Sequence, residues 1–336
     1  MALSVRQESW PLAKPFTISR GTKTAADVVV VELVDDDGIK GWAECVPYPR
    51  YGETVDGVIA QIEEQANRTE AGHLELNHLE FNKGRDDLRA TMASGAARNA
   101  LDCALWDLEA KRAGQRVWEL AGLPDPVPCV TAETIGIGTP ENMGAAAAEL
   151  SKAPLLKVKL GPDNIVTSMA AIRENAPASR LIVDPNEGWT MEILTGVARP
   201  LADLGVEMLE QPLPADDDEG LIGFDSPIPL CADESCHTAD GLPALKAKYQ
   251  FINIKLDKTG GLTEAIHLAR AARDLDFDIM VGCMVGTSLA MAPATLLGAY
   301  AKFVDLDGPL LMKQDRDNGL TFTNGMVSPP DAALWG

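Results

Sequence analysis

Residues 155–160 read LLKVKL, and four segments of the same kind follow: LIVD at 181–184, EMLE at 207–210, LCAD at 230–233 and FINIK at 251–255. Each is a short apolar run that carries an ionisable residue at or beside its end: Lys159, Asp184, Glu210, Asp233 and Lys255 in turn. The steps between these residues are 22 to 26 positions, the span of one strand, one crossover helix and their loops. Working outward, VPCVTAET at 127–134 precedes the series, and DIMVGC at 278–283 and FVDLD at 303–307 extend it. Eight strands alternating with helical stretches predict an α/β fold, a parallel (β/α) barrel of the TIM type. Its strand ends would converge at the carboxyl face, where barrel enzymes keep their active sites.

The first third of the chain has a different texture. A β-branched run at 28–33, a polar turn at 35–38 and a second apolar stretch at 39–45 predict a hairpin. Helical spacing follows at 54–65 (Val55, Val58, Ile59, Ile62) and at 93–113 (Ala97, Leu101, Leu105, Leu108). Three prolines between 122 and 128 end that pattern. The expected organisation is an α+β capping domain over 1–124, the barrel over 125–310 and a carboxyl-terminal segment, 311–336, returning to the capping domain.

A chain of 336 residues, 46% hydrophobic, is long enough for both parts. Its formal charge of −21 repels nucleic acid and anionic lipid, so neither is expected as a partner. The opening residues lack a continuous apolar core and no apolar run reaches membrane-spanning length, so a cytoplasmic protein is expected. Six cysteines without a C-x-x-C pair predict reduced thiols rather than a disulfide framework or zinc knuckle. The group Cys231, Cys236 and His237 is a weaker metal candidate than the oxygen donors around it, and His73, His78 and His267 have no evident partners. Gly136 and Gly138 begin like a dinucleotide fingerprint, but Glu141 stands where the third glycine belongs.

Three consecutive strands ending in Asp184, Glu210 and Asp233 would bring three carboxylates together, which repel one another unless a cation lies among them. All-oxygen ligands favour Mg2+, with Mn2+ also suited, over zinc. Lys157 and Lys159 are two residues apart and share a face of their strand. Lys255 comes from the sixth strand, on the opposite wall. Desolvated and beside a cation, a lysine has its pKa lowered and can act as a general base. Two such bases on opposite sides of a carbon next to a carboxylate, with a metal to hold the enediolate, suit removal of a proton and its return to the other face.

Together, K-V-K at 157–159, D-P-N-E at 184–187, E-Q-P-L-P at 210–214, A-D-E-S at 232–235 and N-I-K-L-D-K-T-G-G at 253–261 resemble the muconate-lactonizing subgroup of the enolase superfamily over nearly the full length. The resemblance implies a (β/α)7β barrel under a capping domain, magnesium held by Asp184, Glu210 and Asp233, and Lys159 and Lys255 as the acid/base pair. D-L-D-G at 305–308 is similar to the dipeptide epimerases, in which such a pair grips a free α-ammonium. Asp305 and Asp307 share a face, and two carboxylates match three ammonium donors. Within that group the likeness is to enzymes of L-Ala-D/L-Glu, which return a murein dipeptide to metabolism. It implies substrate contacts from Thr134, Lys157, Cys283, Asp305 and Asp307, and from Arg20 to the glutamate side chain. One departure is Pro185, where many relatives carry alanine.

The alternatives are a dipeptide epimerase of other specificity, an N-acylamino acid racemase, a cycloisomerase, a Schiff-base aldolase using Lys255, or a non-enzymatic sugar- or peptide-binding protein. The substrate expected is a small dipeptide, and homo-oligomerisation is left open.

Overall fold

Val28, Val29, Val30 and Val31 are fully buried, because the strand that carries them is covered on both faces. It is the middle strand of a three-stranded antiparallel sheet, β1 (Ala2–Ile18), β2 (Gly21–Val34) and β3 (Lys40–Cys45), in a computed structural model that describes residues 2–70 and 81–336. His73 and His78 lie outside the described residues. Helices α1 (Val55–Glu70), α2 (Phe81–Thr91), α3 (Ala96–Ala113) and α4 (Val117–Leu120) complete this unit. Sequence reading began the sheet at residue 28 and missed β1. That strand exposes most of its side chains and contains Pro11 and Pro15, so it carries little apolar signal. Helix α3 approaches β3 unusually closely. A Cβ on Gly41 would lie 2.5 Å from the Ala104 carbonyl oxygen and from Leu108 Cβ.

The rest of the chain builds an eight-stranded parallel sheet. In chain order this region runs through β4 (Cys129–Val130), which lies outside that sheet, then β5 (Glu133–Ile135), α5 (Pro140–Glu149), β6 (Leu155–Lys159), α6 (Ile165–Asn175), β7 (Arg180–Asp184), α7 (Met191–Asp203) and β8 (Val206–Glu210). There follow β9 (Leu230–Ala232), α8 (Leu242–Leu245), β10 (Phe251–Ile254), α9 (Leu256–Thr259), α10 (Leu262–Asp274), β11 (Asp278–Val281), α11 (Ser288–Thr295) and β12 (Phe303–Val304). Strands β5 to β12 lie side by side in sequence order.

Two details differ from the sequence expectation. The strand expected at 127–134 is divided: β4 pairs antiparallel with β14 (Met326–Val327), itself paired with β13 (Phe322–Thr323), whereas only β5 enters the parallel sheet. The backbone changes partner at this point, with Thr131 N–H donating to Gly325 and Ala132 N–H to Val304, at 2.9 and 2.8 Å. Between β8 and β9 a single 3-10 turn, Glu219–Leu221, replaces the expected crossover helix. Pro212, Pro214, Pro227 and Pro229 in this stretch remove helix donors and explain the difference.

Leu155, Ile182, Met208, Cys231, Phe251, Met280 and Phe303, one from each of seven strands, pack with Ala132 into a single buried cluster. This apolar floor lies beneath the strand ends. The carboxyl-terminal residues reach the first unit, where Trp335 Nε1 donates to the Cys103 carbonyl (3.1 Å) and Gly336 N–H to Asp107 (2.7 Å). Arg316 pairs with Glu8 and with the buried Glu44. Among the described residues no helix is long and apolar enough to cross a membrane.

Asp257 on α9 joins the two units, accepting from Val46 N–H (3.0 Å) and Asn99 Nδ2 (2.8 Å). Burial pushes its carboxyl up to about 7, against roughly 3.9 in an unfolded chain. An acid harder to ionise when folded favours folding fully below pH ~4, and that contribution is lost as pH rises through ~7. Asp257→Asn, which keeps the acceptor, is therefore expected to be more stable than the parent by roughly 2–4 kcal/mol at pH 8. The difference should vanish near pH 4, as read by urea unfolding of both proteins.

Candidate active site

Side chains alternate across a strand, so the residue two places beyond each floor position points the same way, one layer higher. Those residues are Thr134 above Ala132, Lys157 above Leu155, Asp184 above Ile182, Glu210 above Met208, Asp233 above Cys231, Asn253 above Phe251, Gly282 above Met280 and Asp305 above Phe303. Lys159, Lys255 and Asp307 stand a further step up. Across the five adjacent strands β6 to β10 the strand ends read lysine, aspartate, glutamate, aspartate, lysine.

The charges meet in pairs. Lys159 Nζ contacts Asp184 Oδ2, and Lys255 Nζ contacts Asp233 Oδ2 at 2.6 Å and Glu210 Oε1 at 3.9 Å. Lys157 Nζ lies among three acids, 2.7 Å from Glu210, 2.7 Å from Asp305 and 3.2 Å from Asp184. Burial alone would raise the Asp184 carboxyl, but Lys159 and Lys157 outweigh it and bring it to about 2. Asp233 is likewise held well below the carboxylate range against its burial, by Lys255 and Lys258. Glu210, in the middle, is pushed up to about 7 by burial and by Asp184. Burial would lower Lys157 and Lys255, yet the carboxylates facing them carry both well above the ordinary lysine value. At Lys255 the carboxylates of Asp233 and Glu210 outweigh desolvation.

Asp184, Glu210 and Asp233 are the group of acids among the described residues whose ligand atoms converge, all lying within 4.8 Å of one another. Glu210 Oε2, Asp233 Oδ1 and Asp305 Oδ1 are buried without an aligned hydrogen-bond donor. Lys157 and Lys258 approach the first two only as ion partners, at 2.7 Å. Buried oxygens left over on two of the three converging carboxylates, Glu210 and Asp233, fit a hard divalent cation.

At the other side of the layer, Asp307 Oδ2 accepts from Thr134 N–H at 2.8 Å, and burial and Asp305 push its carboxyl up to about 7. The Cys283 thiol lies near both aspartates, and burial with their charge keeps it protonated. A cavity of about 400 Å3 opens beside Thr134 and Asp307, walled by Phe16, Ile135 and Leu310. Arg20 comes from the capping unit and does not touch the three converging acids. Its guanidinium donates to Glu234 (2.8 Å), Tyr48 (2.9 Å) and the Asn186 carbonyl (3.1 Å). Arg50 forks onto Glu187 at 2.6 and 2.7 Å, tying a second capping loop to the same strand ends.

Sequence reading did not single out several neighbours that hold this layer. Asn253 Nδ2 donates to Glu210 at 2.6 Å, in space that a Cβ on Gly282 would fill. Lys258 is buried against Asp233 and the Asn253 carbonyl (2.9 Å). Asn186 donates from its backbone to Asp184 Oδ1 (2.8 Å), at the left-handed turn that follows Pro185. All three lie inside the quoted motifs, but a polar residue within a motif carries no mark of what it touches.

Residues 1–122 match the mandelate racemase / muconate lactonizing enzyme N-terminal domain, and residues 142–333 match the enolase C-terminal domain-like family. The chain belongs to this enolase-superfamily family. It is 50% identical to an L-Ala-D/L-Glu epimerase of Escherichia coli (strain K12), over 96% of this chain and 98% of that one. It is 47% identical to an N-acetyl-D-glutamate racemase of Pseudoalteromonas, over 92% and 95%. A crystal structure of an enolase family member from Agrobacterium tumefaciens, with bound sodium and L-Ala-L-Glu, has a TM-score of 0.93 at 47% identity and 99% coverage of both chains. A dipeptide epimerase from Enterococcus faecalis V583, complexed with Mg and L-Leu-L-Tyr, has a TM-score of 0.90 at 29% identity, covering 99% of this chain and 97% of that one. As a member of this family of racemases and epimerases, the chain is an isomerase.

For this isomerase, Lys157→Met would leave three buried carboxylates without the ammonium they share. Removing one partner of a buried ion cluster costs about 3–5 kcal/mol, and urea unfolding of the chelator-treated protein at pH 8 should show a loss of that size.

Proposed function

We propose that this isomerase is a magnesium-dependent dipeptide epimerase that interconverts L-Ala-L-Glu and L-Ala-D-Glu. The observation that carries the reading is the order of charges on β6 to β10, two lysines flanking three carboxylates, with the Asp305/Asp307 pair across from them. In this reading the sheet closes as a (β/α)7β barrel, supported by the Ala132–Val304 hydrogen bond and the shared floor cluster. The capping domain spans 1–124, the barrel 125–310 and the returning segment 311–336.

Asp184, Glu210 and Asp233 are the ligands for Mg2+, or for Mn2+ in its place. The bound ion supplies positive charge for the substrate carboxylate as it becomes an enediolate. Once the carboxylates' charge is committed to a cation, desolvation is the larger influence left on Lys255, and it favours the neutral amine. One of Lys159 and Lys255 takes the α-proton, and the other, on the opposite wall, returns a proton to the far face. Asp305, with an unused buried oxygen, and Asp307 receive the α-ammonium. Thr134, Lys157 and Cys283 line that side, and the cavity beside Asp307 leaves room for the amino-terminal residue. Arg20 faces the glutamate side chain, for which it must give up part of its bonding to Glu234. Free cysteines, four of them buried, suit a reducing cytoplasm, where murein dipeptides would be recovered.

A second reading, racemisation of an N-acylated glutamate, is favoured by the Pseudoalteromonas relative. An acylated nitrogen has no charge to offer Asp305, so the two readings separate experimentally. With Mg2+, L-Ala-L-Glu is expected to convert to L-Ala-D-Glu in an NMR assay, with turnover lost in chelator. Asp305→Asn should lower kcat/KM on the dipeptide by at least about tenfold, the scale of one charge-assisted contact. Faster turnover of N-acetyl-D-glutamate than of the dipeptide, unaffected by Asp305→Asn, would replace the first reading with the second.

A further inference from the structure

We infer that Gln211 is the positioning residue that fixes the spacing of the three acids, and that its side-chain amide, rather than a carboxylate, is required for metal binding. The inference rests on the metal-ligand roles proposed above. Gln211 follows Glu210, is fully buried and adopts a left-handed backbone with φ of 33°. A side chain in that region is strained, and such strain persists only where surrounding contacts impose it.

Those contacts run to all three strand ends. The Gln211 N–H donates to the Cys231 carbonyl (2.8 Å), two residues before Asp233. Its carbonyl accepts from Glu187 N–H (2.9 Å), three residues after Asp184 and itself left-handed at φ 67°. Its side-chain Oε1 accepts from the backbone N–H groups of Asp233 (2.9 Å) and Ser235 (3.1 Å). One residue thus links the turn after β7, the end of β8 and the end of β9, without touching a carboxylate oxygen.

The orientation of the amide is dictated from behind. Nε2 faces the Leu213 carbonyl, Ser235 Oγ and Tyr249 OH, each at 2.9 Å. Ser235 and Tyr249 both donate their hydroxyl protons to Asp218 Oδ2, at 3.0 and 2.7 Å, and Lys248 pairs with Asp218. With their protons committed there, the hydroxyls present lone pairs to Gln211, so only a donor fits at Nε2 and only an acceptor at Oε1. A glutamate of the same length would set oxygen against three acceptors and push the ends of β8 and β9 apart.

The test is Mn2+ titration of the chelator-treated protein, with free Mn2+ read by electron paramagnetic resonance, alongside the thermal midpoint of each metal-free variant. Gln211→Glu and Gln211→Asn are expected to bind Mn2+ about 10–100-fold more weakly than the parent, the usual cost of losing a partner that orients metal ligands. Raising the metal concentration should restore turnover in Gln211→Asn. Tyr249→Phe, which leaves Gln211 in place and keeps the protein folded if the glutamate variant does not, should lose a smaller factor in the same direction. Gly41→Ala, destabilised in the capping unit, should bind Mn2+ as the parent does. Parent-like Mn2+ affinity in the folded Gln211 variants, or in Tyr249→Phe if none folds, would overturn the inference while leaving the metal reading intact. An equal loss in Gly41→Ala would also overturn it. A parent protein that binds no divalent cation would overturn the metal reading and this inference with it.

Discussion

The carboxylates of Asp184, Glu210, Asp233, Asp305 and Asp307 and the ammonium groups of Lys157, Lys159, Lys255 and Lys258 are buried at one end of a parallel sheet, and each is tolerable there only because of the others. An isolated buried charge costs several kcal/mol even after relaxation. Strand alternation concentrates the charges, since the residue two places above a leucine, isoleucine or methionine of the floor must enter the same interior. The floor cluster excludes water from below, and the charged layer above it is strengthened by the low local dielectric. Within that layer the acids alternate in disposition: Asp184 and Asp233 are held ionised by their lysines, whereas Glu210 between them is driven toward protonation. That unevenness is what a site looks like when its positive charge falls short of its negative charge.

The rest of the fold serves this layer. Loops after β7 and β8 take left-handed turns at Asn186, Glu187 and Gln211 just beyond Asp184 and Glu210, so the chain turns away as soon as these two carboxylates are placed. The capping unit contributes through charge as well as cover. Arg20 and Arg50 meet Glu187 and Glu234 at the same rim, and Tyr51 packs edge-on against His237 at 4.8 Å. Asp257, Glu44 and Asp107 fasten the capping unit, α9 and the carboxyl-terminal segment to one another from positions buried between them.

Much of this was legible in the sequence, for an identifiable reason. A buried parallel strand must be almost wholly apolar, so a lysine or acid at its end stands out, and the regular steps from Lys159 to Lys255 placed the five central strands. The first strand was less legible because 127–134 carries no turn signal between β4 and β5 while its backbone serves two sheets in turn. β1 escaped notice because an exposed strand needs no apolar pattern. The pairings were not legible at all. Nothing in E-Q-P-L-P states that Gln211 reaches the next strand, or that Lys157 would sit among three acids. Such contacts depend on which chain segments become neighbours after folding.

The central claim is that two lysines act from opposite faces of one carbon, and α-proton exchange by single-lysine variants tests it most directly. Lys159→Ala and Lys255→Ala would each be incubated in deuterium oxide with Mg2+ and, separately, with L-Ala-L-Glu and L-Ala-D-Glu. The account predicts that neither variant epimerises, that each exchanges the α-proton of only one epimer, and that the two variants favour opposite epimers. Exchange of the same epimer by both variants, or epimerisation surviving in either, would contradict it.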